Sequence, residues 1–220
     1  MPPDANAECV CAMEDVLDIS HRPYAPETPL VCIDESSKQP VRETRKPIAA
    51  GPGQPERYDY EYERNGVSNL FMLLAPFEGW RPVKVTDRRT KVDFAYGVKD
   101  LLSLPYPDAE RVTIGMDNLK THHPSSLYEA FEPAEAKSLF DRCDFHYMPN
   151  HGSWLTMAEI EFSALQRQCL GRRLPDQETL REEIAAWEAH RNEQEVKVHW
   201  RFTTADARIR LQRLYPSIKN

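Results

Sequence analysis

The chain lacks any apolar N-terminal segment of the kind that directs secretion or membrane insertion, so a cytoplasmic protein with no membrane partner is expected. It also lacks a CxxC pair. Its five cysteines, Cys9, Cys11, Cys32, Cys143 and Cys169, are odd in number and scattered, which argues against a disulfide framework and for a reducing compartment. Cys9-Val-Cys11 would need a second ligand pair to hold zinc, and none follows at a suitable spacing, so these residues are read as free thiols. Positive charge is short as well. With 28 Lys and Arg against 35 Asp and Glu, the net charge is -7, which excludes a surface given over wholly to phosphate neutralisation. No internal repeat is visible, and 220 residues suit one α/β domain with a core large enough to need no staples.

What cations there are fall in clusters: Lys38, Arg42, Arg45, Lys46 and Arg57; Arg81, Lys84, Arg88, Arg89 and Lys91; and Arg201, Arg208, Arg210 and Arg213. Three acids stand out by position. Asp34 closes the run Pro29-Leu-Val-Cys-Ile, Asp117 closes Val112-Thr-Ile-Gly-Met, and Glu159 enters a helix after Trp154-Leu-Thr-Met-Ala. A short β-rich run ending in a carboxylate puts that group at the rim of a sheet, where open α/β sheets present their ligand sites. Acids at strand ends and helix starts also serve as caps and surface groups, so order and placement carry the functional reading.

The element pattern supports convergence of the three. A short helix, Met13 to Ile19, and the proline-rich His21 to Pro26 lead into the first strand. The stretch from Glu35 to Arg57, dense in Pro, Gly and charge, reads as a long loop without a packed element. Tyr58 to Glu63 alternates aromatic with acidic, and Asn65-Gly66 turns it into Asn69 to Ala75, a hairpin pattern. Further strands are expected at Arg81 to Val85, Arg111 to Met116 and Asp144 to Met148, with helices from about Lys91 to Leu102, Ala134 to Arg142 and Met157 to Cys169. An antiparallel meander followed by βαβ crossovers predicts an RNase H-like α/β fold, a mixed five-stranded sheet with flanking helices. Two C-terminal helices follow: one capped by Asp176 with Leu180, Ile184 and Trp187 on one stripe, and one opened by Thr203 that carries Ile209 and Leu214 as packing residues.

A hard cation such as Mg²⁺ needs only one or two carboxylates, with water and phosphate oxygens completing its shell. Three carboxylates therefore suffice for a two-metal site, and without metal their repulsion should raise at least one pKa. Helical spacing leaves two candidates for the third acid: Glu159 and Glu161 flank the stripe Ala158, Phe162, Leu165 and Cys169 on opposite sides. His122, His123, His146 and His151 lie near the second and third acids. A mixed His-carboxylate metal site is one use for them, but a hydrogen bond to a carboxylate or a substrate phosphate is the better one for His122 and His151. Trp80, Trp154, Trp187 and Trp200 could stack on bases, although core filling accounts for most of them.

Several segments are more specific: His21-Arg-Pro-Tyr24, Val31-Cys-Ile-Asp-Glu35, Pro55 to Tyr62, Asp117-Asn118-Leu119 with Thr121-His122, His151-Gly-Ser-Trp-Leu155 with Ala158-Glu-Ile-Glu161, and Trp200 to Arg208. Together they closely resemble bacterial insertion-sequence transposases of the mariner-like superfamily, in motif order and over nearly the whole chain. The resemblance implies an RNase H-like catalytic domain with a DDE triad that uses two Mg²⁺ or Mn²⁺ ions to cut and rejoin DNA. It matches Asp34, Asp117 and Glu159 to the triad, as both catalytic and metal-binding residues, and so selects Glu159 over Glu161. It places Asn118 and His122 beside the second acid and matches Gln39 to Arg57 to a DNA-contacting loop. The DNA-binding set is then Lys38, Arg42, Arg45, Lys46, Arg57, Asn118, His122 and His151.

Three positions depart from the family pattern. Lys120 stands in Asp-Asn-Leu-Asn-Thr-His, Asn150 in Lys-His-Gly-Ser-Trp, and Thr156 replaces the Asn of Leu-Asn-x-x. None removes a metal ligand, and the first two change charge near the site. Such transposases carry an N-terminal helix-turn-helix region, and none is seen before Met13. The expected organisation is a lead-in segment 1–28, a catalytic domain 29–172 with a mobile loop 36–57, and a helical extension 173–220 packed on that domain. Implied partners are element-end and target DNA, further copies of the chain on DNA, and a separate DNA-reading domain. Two rival readings share these local features: a non-catalytic remnant that binds DNA weakly, and an RNase H-like nuclease without strand transfer.

Overall fold

The computed structural model describes residues 6–55, 57, 59–149, 152 and 155–217. The chain runs through α1 (Ala7–Ile19), β1 (Leu30–Lys38), β2 (Val41–Glu43), β3 (Tyr62–Arg64), β4 (Ser68–Leu74), β5 (Val83–Thr86), α2 (Lys91–Ser103), β6 (Val112–Met116), α3 (Ser125–Ala130), α4 (Pro133–Asp141), β7 (Cys143–Tyr147), α5 (Met157–Gln168), α6 (Gln177–Glu193) and α7 (Thr204–Arg210). Five strands form one sheet in the order β5-β4-β1-β6-β7. The β5–β4 and β4–β1 pairs are antiparallel, and the β1–β6 and β6–β7 pairs are parallel. This is the mixed five-stranded sheet expected from the sequence.

Side-chain alternation along β1 decides what each face of the sheet carries. Val31 and Ile33 join Phe71, Val112, Ile114 and Met116 under α2, α3 and α4. Leu30 and Cys32 face the opposite way, with Leu74, toward the end of α1 and the start of α5. On that same face Leu70, Met72 and Val83 pack against Ala164 and Leu165 of α5 and Leu180, Ile184 and Trp187 of α6. Each fully buried aliphatic or aromatic side chain here contributes about 1.5–3 kcal/mol of burial. The two helical layers thus enclose the sheet.

Helix starts follow local capping chemistry. Thr90 and Asp93 form a reciprocal capping box at the head of α2, and Thr203 with Asp206 does the same for α7. Thr90→Ala removes the acceptor for the Asp93 N–H and should cost about 1 kcal/mol, a melting midpoint roughly 2–4 °C lower for a domain of this size. Circular dichroism melts of the two chains check it; coincident curves would mean that α2 is held by packing alone.

Several expectations need correction. Strand β1 does not end at Asp34 but continues to Lys38, because β4 stays paired with it from Cys32–Leu74 through Lys38–Ser68, whereas pairing to β6 stops at Ile33–Met116. The stretch read as an unstructured loop holds β2, which pairs with β3, together with a bridge between Ile48 and Arg57. The expected hairpin between the Tyr58–Glu63 run and Asn69–Ala75 does not form. Asn65-Gly66, with Gly66 at φ 75°, instead links β3 of this ribbon to β4 of the main sheet, since the exposed side chains of β3 offer no apolar face to bury. Helix α1 starts at Ala7, capped by Asn6, and α3 was not foreseen. Ile209 is 78% exposed and packs nothing, while Leu214 is buried beyond the end of α7.

Candidate functional site

Asp34 lies where β1 loses its parallel neighbour, one residue beyond the Ile33–Met116 pair, and Asp117 directly follows Met116 on the adjacent strand. The two acids therefore stand side by side at the same edge of the parallel half of the sheet. By alternation, Asp34 follows Cys32 onto the face covered by α5, whose first turn carries Glu159. Burial, with the negative charges of Asp117 and Glu159 adding to it, pushes the Asp34 carboxyl up to about 6, against the Glu35 N–H bond and the His122 charge, which favour the ionised form. The rise expected at one of the three carboxylates falls on Asp34, with burial as its first cause and the neighbouring carboxylates as the lesser one.

The neighbouring Glu35 points to the other face, and its side chain is fully buried. His122 is buried between the two strands' ends. Its Nδ1 meets Asp117 Oδ1 at 2.5 Å and its Nε2 meets Glu35 Oε1 at 2.9 Å. Burial disfavours charge on this imidazole, but the two carboxylate bonds outweigh it and raise the ring to about 9. At neutral pH both nitrogens then donate, and His122 is an imidazolium clamped between two carboxylates. Arg89, half exposed, closes the far side with Nε 3.1 Å from Glu35 Oε2. Phe94 of α2 lies against the His122 ring, with centroids 5.1 Å apart.

The two glutamates of α5 part company. Glu159 is exposed beside Asp34. Glu161 is 2% exposed and is held by Arg191, through Nε at 2.5 Å and Nη2 at 3.0 Å, and by Arg81 Nε at 3.1 Å. A carboxylate so engaged is structural.

The remaining predicted residues are spread out. Asn118 and Lys120 are exposed beside Asp117, and Thr156 immediately precedes α5 and is buried. Lys38 ends β1, and its Nζ donates to the Leu170 carbonyl at 2.7 Å. Arg42, Arg45, Lys46 and Arg57 lie exposed on the β2–β3 ribbon, where Arg45 pairs with Asp59. Val41 N bonded to Leu174 O and the Arg173–Glu43 ion pair tie that ribbon to the segment between α5 and α6. His151, Asn150 and Trp154 lie outside the described residues. His146 bonds Asp15 and Asp144, and His123 bonds Ser125; neither bonds one of the three acids. Sequence reading missed Glu35, Arg89 and the Arg81–Glu161–Arg191 cluster. The alternation of β1 was the available signal for Glu35.

Among the described residues no three His, Cys, Asp or Glu side chains stand close enough to cage an ion unaided. The donor set nevertheless suits a hard divalent cation. It is all carboxylate oxygen, it sits at a sheet rim, and it holds Asp34 part-buried beside two like charges that a cation would offset.

The family described as DDE superfamily endonuclease matches residues 29–181. Among solved structures, the chain is similar to the Mos1 transposase paired-end complex with left transposon end, at 14% identity and TM-score 0.57, over 89% of this chain and 60% of that one. The Mos1 mariner paired-end complex with Mn matches equally, and the complex with Mg does so at TM-score 0.53 over 99% of this chain and 66% of that one. The chain thus spans about 60% of the length of the first of these. No curated protein matches it. At such identity the likeness establishes the RNase H-like fold.

Proposed function

Because the chain belongs to the DDE superfamily of endonucleases, we propose that it is the catalytic domain of a DNA transposase in which Asp34, Asp117 and Glu159 hold two Mg²⁺ or Mn²⁺ ions. The observation that carries this reading is the placement of Asp34 and Asp117 at one edge of adjacent strands, with Glu159 near enough to raise the Asp34 pKa. Ions bound there would polarise the scissile phosphate, activate the attacking water or 3′ hydroxyl and stabilise the leaving oxygen. The protein's own task is positioning. His122 holds Asp117 from one nitrogen and the buried Glu35 from the other, so the second acid keeps its orientation when nothing else is bound.

The partners follow from the same reading: DNA of an insertion sequence's ends and of the target, with copies of the chain associating on it. The paired-end and strand-transfer complexes known for Mos1 support this. Recognition of particular ends would fall to a separate DNA-reading region of the helix-turn-helix kind that such transposases carry. A cytoplasmic setting is consistent with five free cysteines, and among the described residues no helix is long and apolar enough to cross a membrane.

Incubating the purified chain with supercoiled plasmid and Mn²⁺ or Mg²⁺ tests the reading. Nicking that a chelator abolishes, with joined products when a pre-cut 3′ end is supplied, supports a transposase. Nicking without joining would make it a nuclease, and no nicking by folded protein a non-catalytic remnant.

Metal should also act on stability. The Asp34 pKa in the folded chain is raised, so this group favours folding only in its protonated form; that contribution is present below about 3.8 and is lost as pH rises through about 6. A cation competes with that proton, so Mg²⁺ should raise the melting temperature more at pH 7.5 than at pH 5. Scanning calorimetry at the two pH values reads the difference, and an equal shift at both would remove Asp34 from the metal site.

A further inference from the structure

The part of β1 that continues past Asp34 and the outer face of α5 leave an open groove of about 380 Å³ between them, walled by Ser36 and Ser37 on one side and Glu159, Ser163 and Arg167 on the other. Resting on the transposase reading, we propose that this groove seats the sugar–phosphate backbone of one extended DNA strand as it leaves the scissile phosphate. The groove begins at the third acid itself. Residues four apart share a helix face, and a rise of about 1.5 Å per residue places Ser163 about 6 Å and Arg167 about 12 Å beyond Glu159 along the axis. A strand whose reacting phosphate lies at Glu159 thus meets a hydroxyl and then a guanidinium, each able to donate to a phosphate oxygen.

Charge runs the right way along this path. The near end carries the carboxylates, where cations would neutralise the reacting phosphate. At the far end Arg167 is exposed and, among the described residues, its guanidinium makes no ion pair or hydrogen bond. Lys38 reaches the same end, anchored on the carbonyl of Leu170, which also lines the groove. The neighbouring Arg172, by contrast, is paired with Glu183 and lies outside the groove. Leu70 and Phe162 supply an apolar floor on which sugars can rest. Hydroxyls and one free guanidinium read backbone and not base edges, so binding here is independent of sequence.

The test is fluorescence anisotropy of a labelled single-stranded oligonucleotide of arbitrary sequence, in chelator, across a salt series. Arg167→Ala should weaken binding about tenfold and reduce the slope of log K against log salt by about 0.7, the value for one phosphate contact on a single strand. Ser163→Glu, which sets a carboxylate against the backbone, should weaken it further. Arg172→Ala removes the same formal charge and should change neither quantity. Equal effects of Arg167→Ala and Arg172→Ala, or no binding by the parent chain, would overturn the groove. Because the assay needs no metal and no turnover, a chain that binds through Arg167 but never nicks DNA would sink the transposase reading alone. One that nicks DNA while Arg167→Ala binds normally would sink only the groove.

Discussion

Asp117→Asn should leave a folded protein whose metal-dependent nicking of plasmid is about 10³-fold slower or absent. The amide is nearly isosteric with the carboxylate and its oxygen can still accept from His122 Nδ1, so the 2.5 Å contact that fixes this side chain has a replacement. What is lost is the negative charge that offsets a bound cation. Metal-assisted stabilisation of the transition state is worth several kcal/mol, and each 1.36 kcal/mol is a factor of ten in rate, which gives about three decades. The suitable control is Asp144→Asn, a carboxylate that also bonds a histidine, His146, but sits opposite Thr113, four residues before Asp117 along the neighbouring strand. Initial rates of nicking at saturating Mn²⁺ for both variants decide the matter. Asp144→Asn should match the parent chain, and comparable losses in the two variants would mean that any carboxylate–histidine pair matters and that Asp117 has no special role.

The sequence showed the sheet more clearly than the edges of its site. Strand runs such as Val112 to Met116, apolar but for Thr113, are buried on both faces, so composition alone places them, and Asp117 comes with them. Asp34 was harder, because the signal that ends an apolar run is a change in burial. The strand itself continues as far as β4 accompanies it, and that pairing is set 30 to 42 residues later in the chain. Periodicity could not separate Glu159 from Glu161, since both flank the apolar stripe Ala158, Phe162, Leu165 and Cys169, whereas the face that α5 buries includes Glu161 itself. The difference is made by Arg81 and Arg191, two residues remote in sequence that reach only Glu161. The link from His122 to Glu35 was hidden for the same reason: its partners lie 87 residues apart. The β2–β3 ribbon carries almost no apolar pattern, because it forms its own small sheet outside the core.

Glu161→Ala is the substitution with the largest expected effect on stability, a loss of about 3–5 kcal/mol, the usual result of removing one partner from a buried ion pair. Arg81 explains the size. Its side chain is fully buried, and its guanidinium also donates to the carbonyls of Gly79, Arg191 and Val196. It therefore cannot swing out to water when Glu161 is gone. These bonds join the end of α6 to the turn before β5, a turn so close to Glu195 that a Cβ on Gly79 would stand 2.4 Å from its backbone carbonyl carbon. Set against a typical total of 5–15 kcal/mol, such a loss leaves a chain that is marginal at best. The double replacement Arg81→Met with Glu161→Leu removes the two fully buried charges and should be less destabilising than Glu161→Ala alone, because the one ion that then loses its partner, Arg191, is 14% exposed and within reach of water. Guanidinium denaturation of the three chains separates the cases. If the double variant fell as far as Glu161→Ala or further, the carbonyl bonds of Arg81 would be the main contribution of the cluster. If instead it recovered, Glu161 acts chiefly as the counter-charge of Arg81, and Glu159 is left as the free carboxylate of α5.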